Sequence, residues 1–202
     1  MLAGSHRPQL QSVRDALRTL AQTAADGERR AAVAVVLCEH PFEDDEFAPH
    51  LLLIQRAEHP QDPWSGHLAF PGGRHDVSDP TLLATAVRET GEEIGLLLDT
   101  ESELVGALPP VRARGAQSGL VVAPYVFEVK HRTDFTLDAT EVASAFWVPI
   151  SSLTGGTNHT RVEVHHQGSK YYLPGYQIGP KVLWGMTYEM FQTLAKVSQW
   201  SP

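Results

Sequence analysis

The sequence predicts an α/β fold in which a mixed β-sheet lies between helices. Short β-rich runs alternate with amphipathic helical segments, and glycine or proline pairs separate them. The 202 residues suffice for one hydrophobic core, and no internal repeat or low-complexity segment is visible. We therefore expect a helical lead-in over residues 1–30 and a single domain over residues 31–202.

The predicted elements follow in order along the chain. Apolar residues recur at helical spacing over residues 8–22, which predicts an amphipathic helix that packs on the domain or on a partner subunit. Strands are predicted at 31–38, 51–56, 104–108, 120–129 and 144–148, and a hairpin at 161–165 and 171–173 across Gln167-Gly168. A short helical turn is predicted at 149–153 and a final helix at 182–197.

The most informative segment is a helix predicted to begin at Asp79 and to end before Gly95. Asp79 is a favourable N-cap residue, and Pro80 suits the first helical position. Gly95 supplies the left-handed stop that follows many last turns. One face carries an apolar stripe that would face the core, made of Leu83, Val87, Thr90 and Ile94.

A separate face of this helix carries the three glutamates Glu89, Glu92 and Glu93. Because residues three and four apart share a helix face, we expect one carboxylate cluster. Like charges at this spacing cost an isolated helix about 0.2–0.5 kcal/mol per pair, so a compensating cation is expected. Oxygen ligands suit Mg²⁺ first and Mn²⁺ second. Arg88 lies four residues before Glu92 and is expected to pair with it.

The turn before the helix, at residues 69–74, contains Gly72 and Gly73. Two adjacent glycines let the backbone approach a ligand closely and adopt positive φ angles. A carbonyl of Gly72 or Gly73 is therefore expected to add an oxygen ligand beside the glutamates. Together, the turn and the glutamates favour a metal site over a solvated acidic helix face.

The segment from Gly73 to Leu96 resembles a Nudix box, the signature of enzymes that hydrolyse a nucleoside diphosphate linked to another group. It departs from the box in that Thr90 replaces an aliphatic residue, Asp79 replaces the early glutamate, and the gap from Asp79 to Arg88 is one residue longer. The resemblance runs from about residue 31 to 198 and implies a Nudix-type α/β/α sandwich with a mixed sheet. The second half of the box matches at Arg88, Glu89, Glu92, Glu93, Gly95 and Leu96.

These departures from the box resemble the form that the box takes in the coenzyme A diphosphatase branch of the Nudix superfamily. Ile54 and Ala57 replace Thr and Ser of that branch's upstream motif, and Gln61 or Asp62 lies where a second Arg belongs, with a spacing one residue longer. Residues 182–187 are similar to the Trp-Gly-x-Thr stretch that opens its last helix. The upstream motif matches at Leu52, Leu53, Arg56, Gly66, Phe70, Pro71, Gly72 and Gly73.

The resemblance implies hydrolysis of a phosphoanhydride that depends on Mg²⁺ or Mn²⁺. Glu89 and Glu93 are assigned as direct metal ligands, with Gly73 as a backbone candidate. Glu92 is either a ligand or the partner of Arg88. The general base is expected to be a box glutamate or Glu141, which lies in a distant loop just before a strand.

Substrate contacts are expected from residues outside the box. Arg56, Arg112 and Arg114 are candidates for phosphate binding, and Trp64 for stacking on an adenine. The first hypothesis for the substrate is coenzyme A or a derivative, cleaved to 3′,5′-ADP and a phosphopantetheine. The alternatives are ADP-ribose, a nucleotide sugar or a nucleoside triphosphate. A further alternative is a non-catalytic Nudix-fold module that binds a ligand.

Composition and charge limit the classes of partner and the cellular compartment that we expect for this protein. The net charge of −8 argues against bulk nucleic acid as a partner. The single cysteine, Cys38, excludes an intramolecular disulfide and lies in an apolar run, which predicts a buried thiol. The chain shows no secretory signal and no apolar run of membrane-spanning length. We therefore expect a cytoplasmic enzyme without a membrane partner, and a homodimer through the N-terminal helix stays open.

Overall fold

The computed structural model describes residues 13–15, 17, 29–39, 49–60, 62, 64–114, 119–131, 134–166 and 168–200. The strands in this part are β1 (Arg29–Cys38), β2 (His50–Arg56), β3 (Leu68–Ala69), β4 (Gly72–Arg74), β5 (Ser102–Ala107), β6 (Val111–Arg112), β7 (Leu120–Val129), β8 (Val142–Pro149), β9 (His159–His166), β10 (Ser169–Ile178) and β11 (Lys181–Trp184). The helices with defined bounds are α1 (Leu82–Ile94), α2 (Leu98–Glu101), α3 (Ile150–Thr154) and α4 (Gly185–Val197).

A mixed sheet lies at the centre of the fold. Its strand order is β3-β2-β1-β7-β5, with β8 paired to β2, β4 to β1 and β6 to β7. The pair β1–β7 is parallel over its whole length, whereas the other pairs in this sheet are antiparallel. A smaller antiparallel sheet has the order β11-β10-β9. The long Ala- and Val-rich run of β1 suits a central strand that is covered on both faces.

Two hydrophobic cores lie on opposite faces of the central sheet. Successive β1 side chains point to opposite faces, so Val35 and Leu37 enter one core while Ala34 and Val36 enter the other. Residues of α4, including Phe191, cover the first face, and residues of α1 cover the second. This arrangement confirms the predicted α/β/α sandwich with a mixed sheet.

The predicted long strands are confirmed with small shifts at their ends. The predicted final helix is wrong at its start, because residues 182–184 form strand β11 and α4 begins at Gly185. The main-chain pairing of β11 with β10, for example Tyr176 with Leu183, outweighs the local helical pattern. The glycine turn also holds an unpredicted short strand, since Gly72–Arg74 pairs with β1.

The described residues of the N-terminal segment pack on the chain's own domain. Val13 and Leu17 are buried in the first core. Arg14 forms ion pairs with Glu128 at 2.8 Å and Glu103 at 3.3 Å. The rest of the helix predicted at 8–22 lies outside the described residues, and the boundary at residue 30 stays a prediction.

The predicted buried thiol is confirmed, since Cys38 has no exposed surface. Within the described ranges, no helix combines the length and the apolarity that a membrane span requires.

Candidate active site

Helix α1 begins later than the sequence predicts. Its N-cap is Thr81, whose Oγ1 accepts a hydrogen bond of 3.1 Å from the backbone N–H of Ala84. The predicted N-cap Asp79 is therefore wrong, because its carboxylate is buried and is bound by Arg88 and Thr85. The predicted end is confirmed, since Gly95 adopts a left-handed φ of 73°.

Arg88 joins three carboxylates through one guanidinium. Its Nε and Nη2 donate to the two carboxylate oxygens of Asp79, each at 2.9 Å. Nη2 also donates to Glu89 at 2.9 Å, and Nη1 donates to Glu92 at 2.7 Å, which confirms the predicted pair of Arg88 with Glu92. Hydrogen bonding to Arg88 holds the pKa of Asp79 well below its usual range.

The three box glutamates do not share one face, so the expected single carboxylate cluster is wrong. The side chain of Glu92 is 60% exposed, that of Glu89 is 15% exposed, and Glu93 is buried with 2% of its surface exposed. Adjacent helix residues differ by roughly 100° around the axis, so Glu92 and Glu93 must diverge. Glu89 and Glu93, four residues apart, instead lie together toward the glycine turn.

The glycine turn fits directly against these two glutamates. The backbone N–H of Gly72 donates to Oε2 of Glu93 at 2.8 Å. Gly72 has a φ of 140°, and a Cβ there would lie under 3.0 Å from the backbone of β1. A Cβ on Gly73 would lie under 3.0 Å from the carboxylate of Glu89. Gly72 is therefore required for the turn to lie this close to β1, and Gly73 leaves room for the carboxylate of Glu89 to lie against the turn.

The pKa values of Glu93 and Glu89 are raised near the turn. Burial raises the pKa of Glu93 to about 8, and the negative charges of Glu89 and Glu141 add to this effect. Burial also raises the pKa of Glu89, with Glu92 and Glu141 contributing, against the opposing effect of Arg88. A cation placed between these groups would relieve both the desolvation and the mutual repulsion.

Arg56 is the last residue of β2, and Glu141 directly precedes β8. The backbone N–H of Ala57 donates to the carbonyl of Glu141 at 2.8 Å, and the Glu141 residue is exposed. Arg56 donates through Nε and Nη2 to Asp62, at 3.0 and 2.8 Å. Trp64 donates its backbone N–H to the same carboxylate and packs its side chain partly buried against the first core.

Two of the residues predicted to contact the substrate lie on elements that do not carry the box glutamates or the glycine turn. Arg112 belongs to β6, where it pairs with Val121 of β7. The side chain of Arg114 is 88% exposed and lies 3.9 Å from Glu189 of α4. The structure thus groups Arg56, Gly73, Arg88, Glu89, Glu92, Glu93 and Glu141, and does not place these two arginines on the elements that form that group.

Three contacts of the site went unpredicted. They are the link from Asp79 to Arg88, the backbone donor at Gly72 and the link from Asp62 to Arg56. The spacing of Arg56 and Asp62 within one loop was a usable signal, because opposite charges six residues apart can meet across a turn. The other two contacts depend on how α1 packs against the sheet.

The donor set fits a magnesium ion. Across the described ranges, no three His, Cys, Asp or Glu side chains already form a metal-binding group. Glu89 and Glu93 nevertheless supply carboxylate oxygens beside the backbone of the glycine turn. Protein sites usually hold Mg²⁺ with one or two carboxylates, waters and substrate phosphates, so a pair suffices.

Comparison with solved structures supports the fold. The MutT/nudix family protein of Enterococcus faecalis superposes with a TM-score of 0.54 at 16% identity, over 98% of this chain and 73% of that one. At this identity the likeness concerns the fold alone.

Sequence relatives identify the family. The chain is 31% identical over 170 residues to the uncharacterized Nudix hydrolase NudL of Yersinia pestis, covering 83% of this chain and 79% of NudL. It is 34% identical over 151 residues to the uncharacterized protein C14C4.10c of Schizosaccharomyces pombe, covering 67% of this chain but only 46% of that protein's length. The NUDIX domain model matches residues 28–169. The chain therefore belongs to the Nudix hydrolase family.

Proposed function

We propose that this chain hydrolyses a phosphoanhydride in a nucleoside diphosphate derivative, with coenzyme A or one of its derivatives as the first candidate substrate. The observation that carries the proposal is the pairing of Glu89 and Glu93 with the Gly72-Gly73 turn. It combines desolvated carboxylates with a close backbone, which suits a diphosphate held through a divalent cation.

Nudix hydrolases generally act with divalent metal ions. In this chain Glu89 and Glu93 would hold the ion, together with a backbone carbonyl of Gly72 or Gly73. When bound, Mg²⁺ or Mn²⁺ neutralises charge on the diphosphate oxygens and lowers the pKa of a bound water. Glu92, which is exposed and paired with Arg88, serves better as an anchor for the guanidinium than as a ligand.

The remaining residues orient the reactants. Arg88 donates two hydrogen bonds to the buried Asp79, and this fixed guanidinium holds the carboxylate of Glu89 in place. Glu141 is exposed yet lies close enough to raise the pKa of Glu93, so its carboxylate can take the proton of the attacking water. Arg56 lies near enough for its positive charge to act on Glu93, and it is the candidate to bind a phosphate oxygen.

Support for coenzyme A comes from the chain upstream of the turn. The residues that resemble the coenzyme A diphosphatase motif form β2 and β3 and lead directly into the glycine turn. Arg56, which ends β2, is the member of this motif whose charge acts on Glu93. The motif therefore adjoins the glutamates, which supports coenzyme A as the first candidate substrate.

A substrate panel tests the proposal. Coenzyme A, 3′-dephospho-coenzyme A, ADP-ribose, a nucleotide sugar and a nucleoside triphosphate are incubated with the protein and Mg²⁺, and the products are identified by mass spectrometry. Release of 3′,5′-ADP from coenzyme A at the highest kcat/KM is expected. Brisk cleavage of ADP-ribose without cleavage of coenzyme A would replace the substrate while keeping the chemistry.

The same panel addresses the non-catalytic alternative. A binding module would hydrolyse none of the compounds, and Glu93→Gln would leave its nucleotide affinity unchanged. An active enzyme would lose turnover in this variant. Glu101→Gln, at an exposed position of α2, is the matched control and should retain full turnover.

A further inference from the structure

The loop between β2 and β3 contacts β11 at two consecutive positions. The ring centroids of His67 and Trp184 lie 5.0 Å apart, with the planes tilted by 59°. A Cβ on Gly66 would lie 3.4 Å from Nζ of Lys181 and under 3.0 Å from the carboxylate of Glu58. The loop thus contacts an aromatic ring of β11 at His67 and an ammonium group of β11 at the neighbouring Gly66. We call His67, Lys181 and Trp184 the β11 surface.

Arg56 connects the β11 surface to the active site. Its backbone N–H donates to the carbonyl of His67 at 3.0 Å. The positive charge of Arg56 also acts on the side chains of Glu93 and His67. The guanidinium thus lies within electrostatic reach of both side chains. Arg56 therefore adjoins both the glutamates and the β11 surface.

Lys181 is held loosely and is available to an anion. Its Nζ lies 3.8 Å from Oε1 of Glu58, and the two side chains are 38% and 76% exposed. An exposed pair at this distance contributes little, so a phosphate can displace Glu58 from the ammonium group. Arg56, in contrast, is held by two hydrogen bonds to Asp62. Of the two cations, Lys181 is therefore the one that a phosphate reaches more easily.

The aromatic pair is suited to a planar base. The lowered pKa of His67, caused chiefly by burial, keeps its ring neutral near pH 7. Trp184 is half-buried at the junction of β11 and α4, so its position is fixed by two elements. Stacking on such a ring is tolerant of the base and typically changes affinity about tenfold or more per base.

We propose that the β11 surface binds the nucleoside half of the substrate, with the base against Trp184 and His67 and with Lys181 on a phosphate attached to the ribose. The proposal rests on the proposed function, since it takes the diphosphate to lie at Glu89 and Glu93. It specifies the substrate class as nucleotides that carry a ribose phosphate in addition to the diphosphate. Coenzyme A, with its 3′-phosphate, belongs to that class.

Binding of two nucleotides tests the proposal without turnover. Isothermal titration calorimetry compares adenosine 3′,5′-bisphosphate with adenosine 5′-monophosphate in the presence of Mg²⁺. The wild type should bind the bisphosphate about tenfold more tightly, the effect of one charge-assisted hydrogen bond. Lys181→Met, which keeps the aliphatic stem, should abolish this preference. Lys170→Met is the matched control, because Lys170 is 50% exposed on β10 and pairs with Glu163.

A gain-of-preference variant keeps the test decisive if Lys181→Met does not fold. Glu58→Gln removes the competing carboxylate at an exposed position and should increase the preference for the bisphosphate. Trp184→Leu should weaken both nucleotides about tenfold at an unchanged ratio, whereas Trp184→Phe should retain binding. The proposal is overturned if the wild type shows no preference, or if Lys181→Met and Lys170→Met alter it equally.

The substrate panel separates this proposal from the proposed function. Preference for the bisphosphate without hydrolysis of coenzyme A would refute the proposed substrate and keep the β11 surface. If coenzyme A is hydrolysed but the preference for the bisphosphate does not depend on Lys181, only the proposed role of the β11 surface is refuted.

Discussion

Gly72 donates its backbone N–H at 2.8 Å to Oε2 of Glu93, a carboxylate buried to 2% exposure. Removing a carboxylate from water is costly unless a proton, a cation or hydrogen bonds compensate its charge. The raised pKa of Glu93, about 8, shows how incompletely the single amide and the more distant Arg56 compensate it. A cation bound at Glu93 would supply the missing compensation.

The first prediction concerns catalysis by Glu93→Gln. The amide oxygen can still accept the hydrogen bond from Gly72, so the fold should be kept while the negative charge is lost. Because changes at outer-shell partners already lower metal affinity or activity about 10–100-fold, loss of a ligand should lower kcat/KM by more than about 100-fold. Steady-state kinetics across a Mg²⁺ titration measures the effect, and rates equal to those of the wild type would contradict the ligand role.

The second prediction concerns the pH dependence of stability. Between the ordinary pKa of 4.5 and the folded value of about 8, Glu93 holds a proton that the unfolded chain releases. The stability of the metal-free protein should therefore be highest below pH 4.5, as far as this residue contributes, and should fall as pH rises toward 8. Each pH unit in this range costs at most about 1.4 kcal/mol.

Urea unfolding in EDTA at pH 6 and pH 8 measures this slope. Glu93→Gln should flatten it and be more stable than the wild type at pH 8, whereas Glu101→Gln should keep it. Added Mg²⁺ should restore stability at pH 8 in the wild type and in Glu101→Gln, but not in Glu93→Gln. Equal slopes in the wild type and Glu93→Gln would show that another group titrates.

The third prediction concerns Asp79 as the anchor of Arg88. The pKa of Asp79 is depressed by its hydrogen bonds to Arg88, so its contribution to stability is present above the unfolded value of 3.8. That contribution should be lost as pH falls through the lower folded value. Asp79→Asn should therefore reduce the free energy of unfolding at pH 6 and weaken the acid dependence, with Asp99→Asn at an exposed position as the control.

Asp79→Asn should also loosen Arg88 and, through it, Glu89. Mg²⁺ affinity should then fall by about 10–100-fold, as for other groups that orient a ligand. Calorimetric titration with Mg²⁺ at pH 7 provides the readout. An unchanged affinity in a destabilised variant would limit Asp79 to a structural role.

The sequence predicts the long elements because their signals are local. β7 is a mostly apolar run of ten residues, and its predicted and observed ends coincide at Leu120 and Val129. Strands β3, β4 and β6 span two or three residues each and exist through pairing with longer neighbours. Two or three residues are too few to show the alternation of apolar and polar side chains that predicts a strand. The same reason explains β11, whose four residues continue the apolar pattern of α4.

The site was predictable in composition but not in arrangement. The spacing of Glu89 and Glu93 correctly indicates two carboxylates on neighbouring turns, but it does not tell which side of the helix meets the glycine turn. That side depends on β4 pairing with β1, with Gly73 opposite Ala32, which is a contact between distant segments. Burial of Glu93, which determines its pKa, follows from the same pairing.

The fourth prediction concerns Glu141 as the general base. Its backbone carbonyl accepts from Ala57 and its residue is exposed, so Glu141→Gln should leave the β2–β8 pairing and the stability intact. Loss of a general base typically lowers kcat by about 10²–10⁴-fold. Mg²⁺ affinity should change little, which separates this variant from Glu93→Gln. A normal kcat would assign the base to a box glutamate instead.

The fifth prediction uses two glycines that lie on opposite sides of Glu89 in the chain. Gly73→Ala places a methyl group under 3.0 Å from the Glu89 carboxylate, so that side chain must move away from the turn. Mg²⁺ affinity and turnover should fall together, while the strand pairing of β4 is kept. Gly91→Ala, within α1, meets no atom closer than 4.0 Å and should instead stabilise the helix by about 0.5–1 kcal/mol. Thermal unfolding and Mg²⁺ titration of both variants check the pair. If Gly73→Ala bound Mg²⁺ as the wild type does, the approach of Glu89 to the turn would have no part in binding the metal.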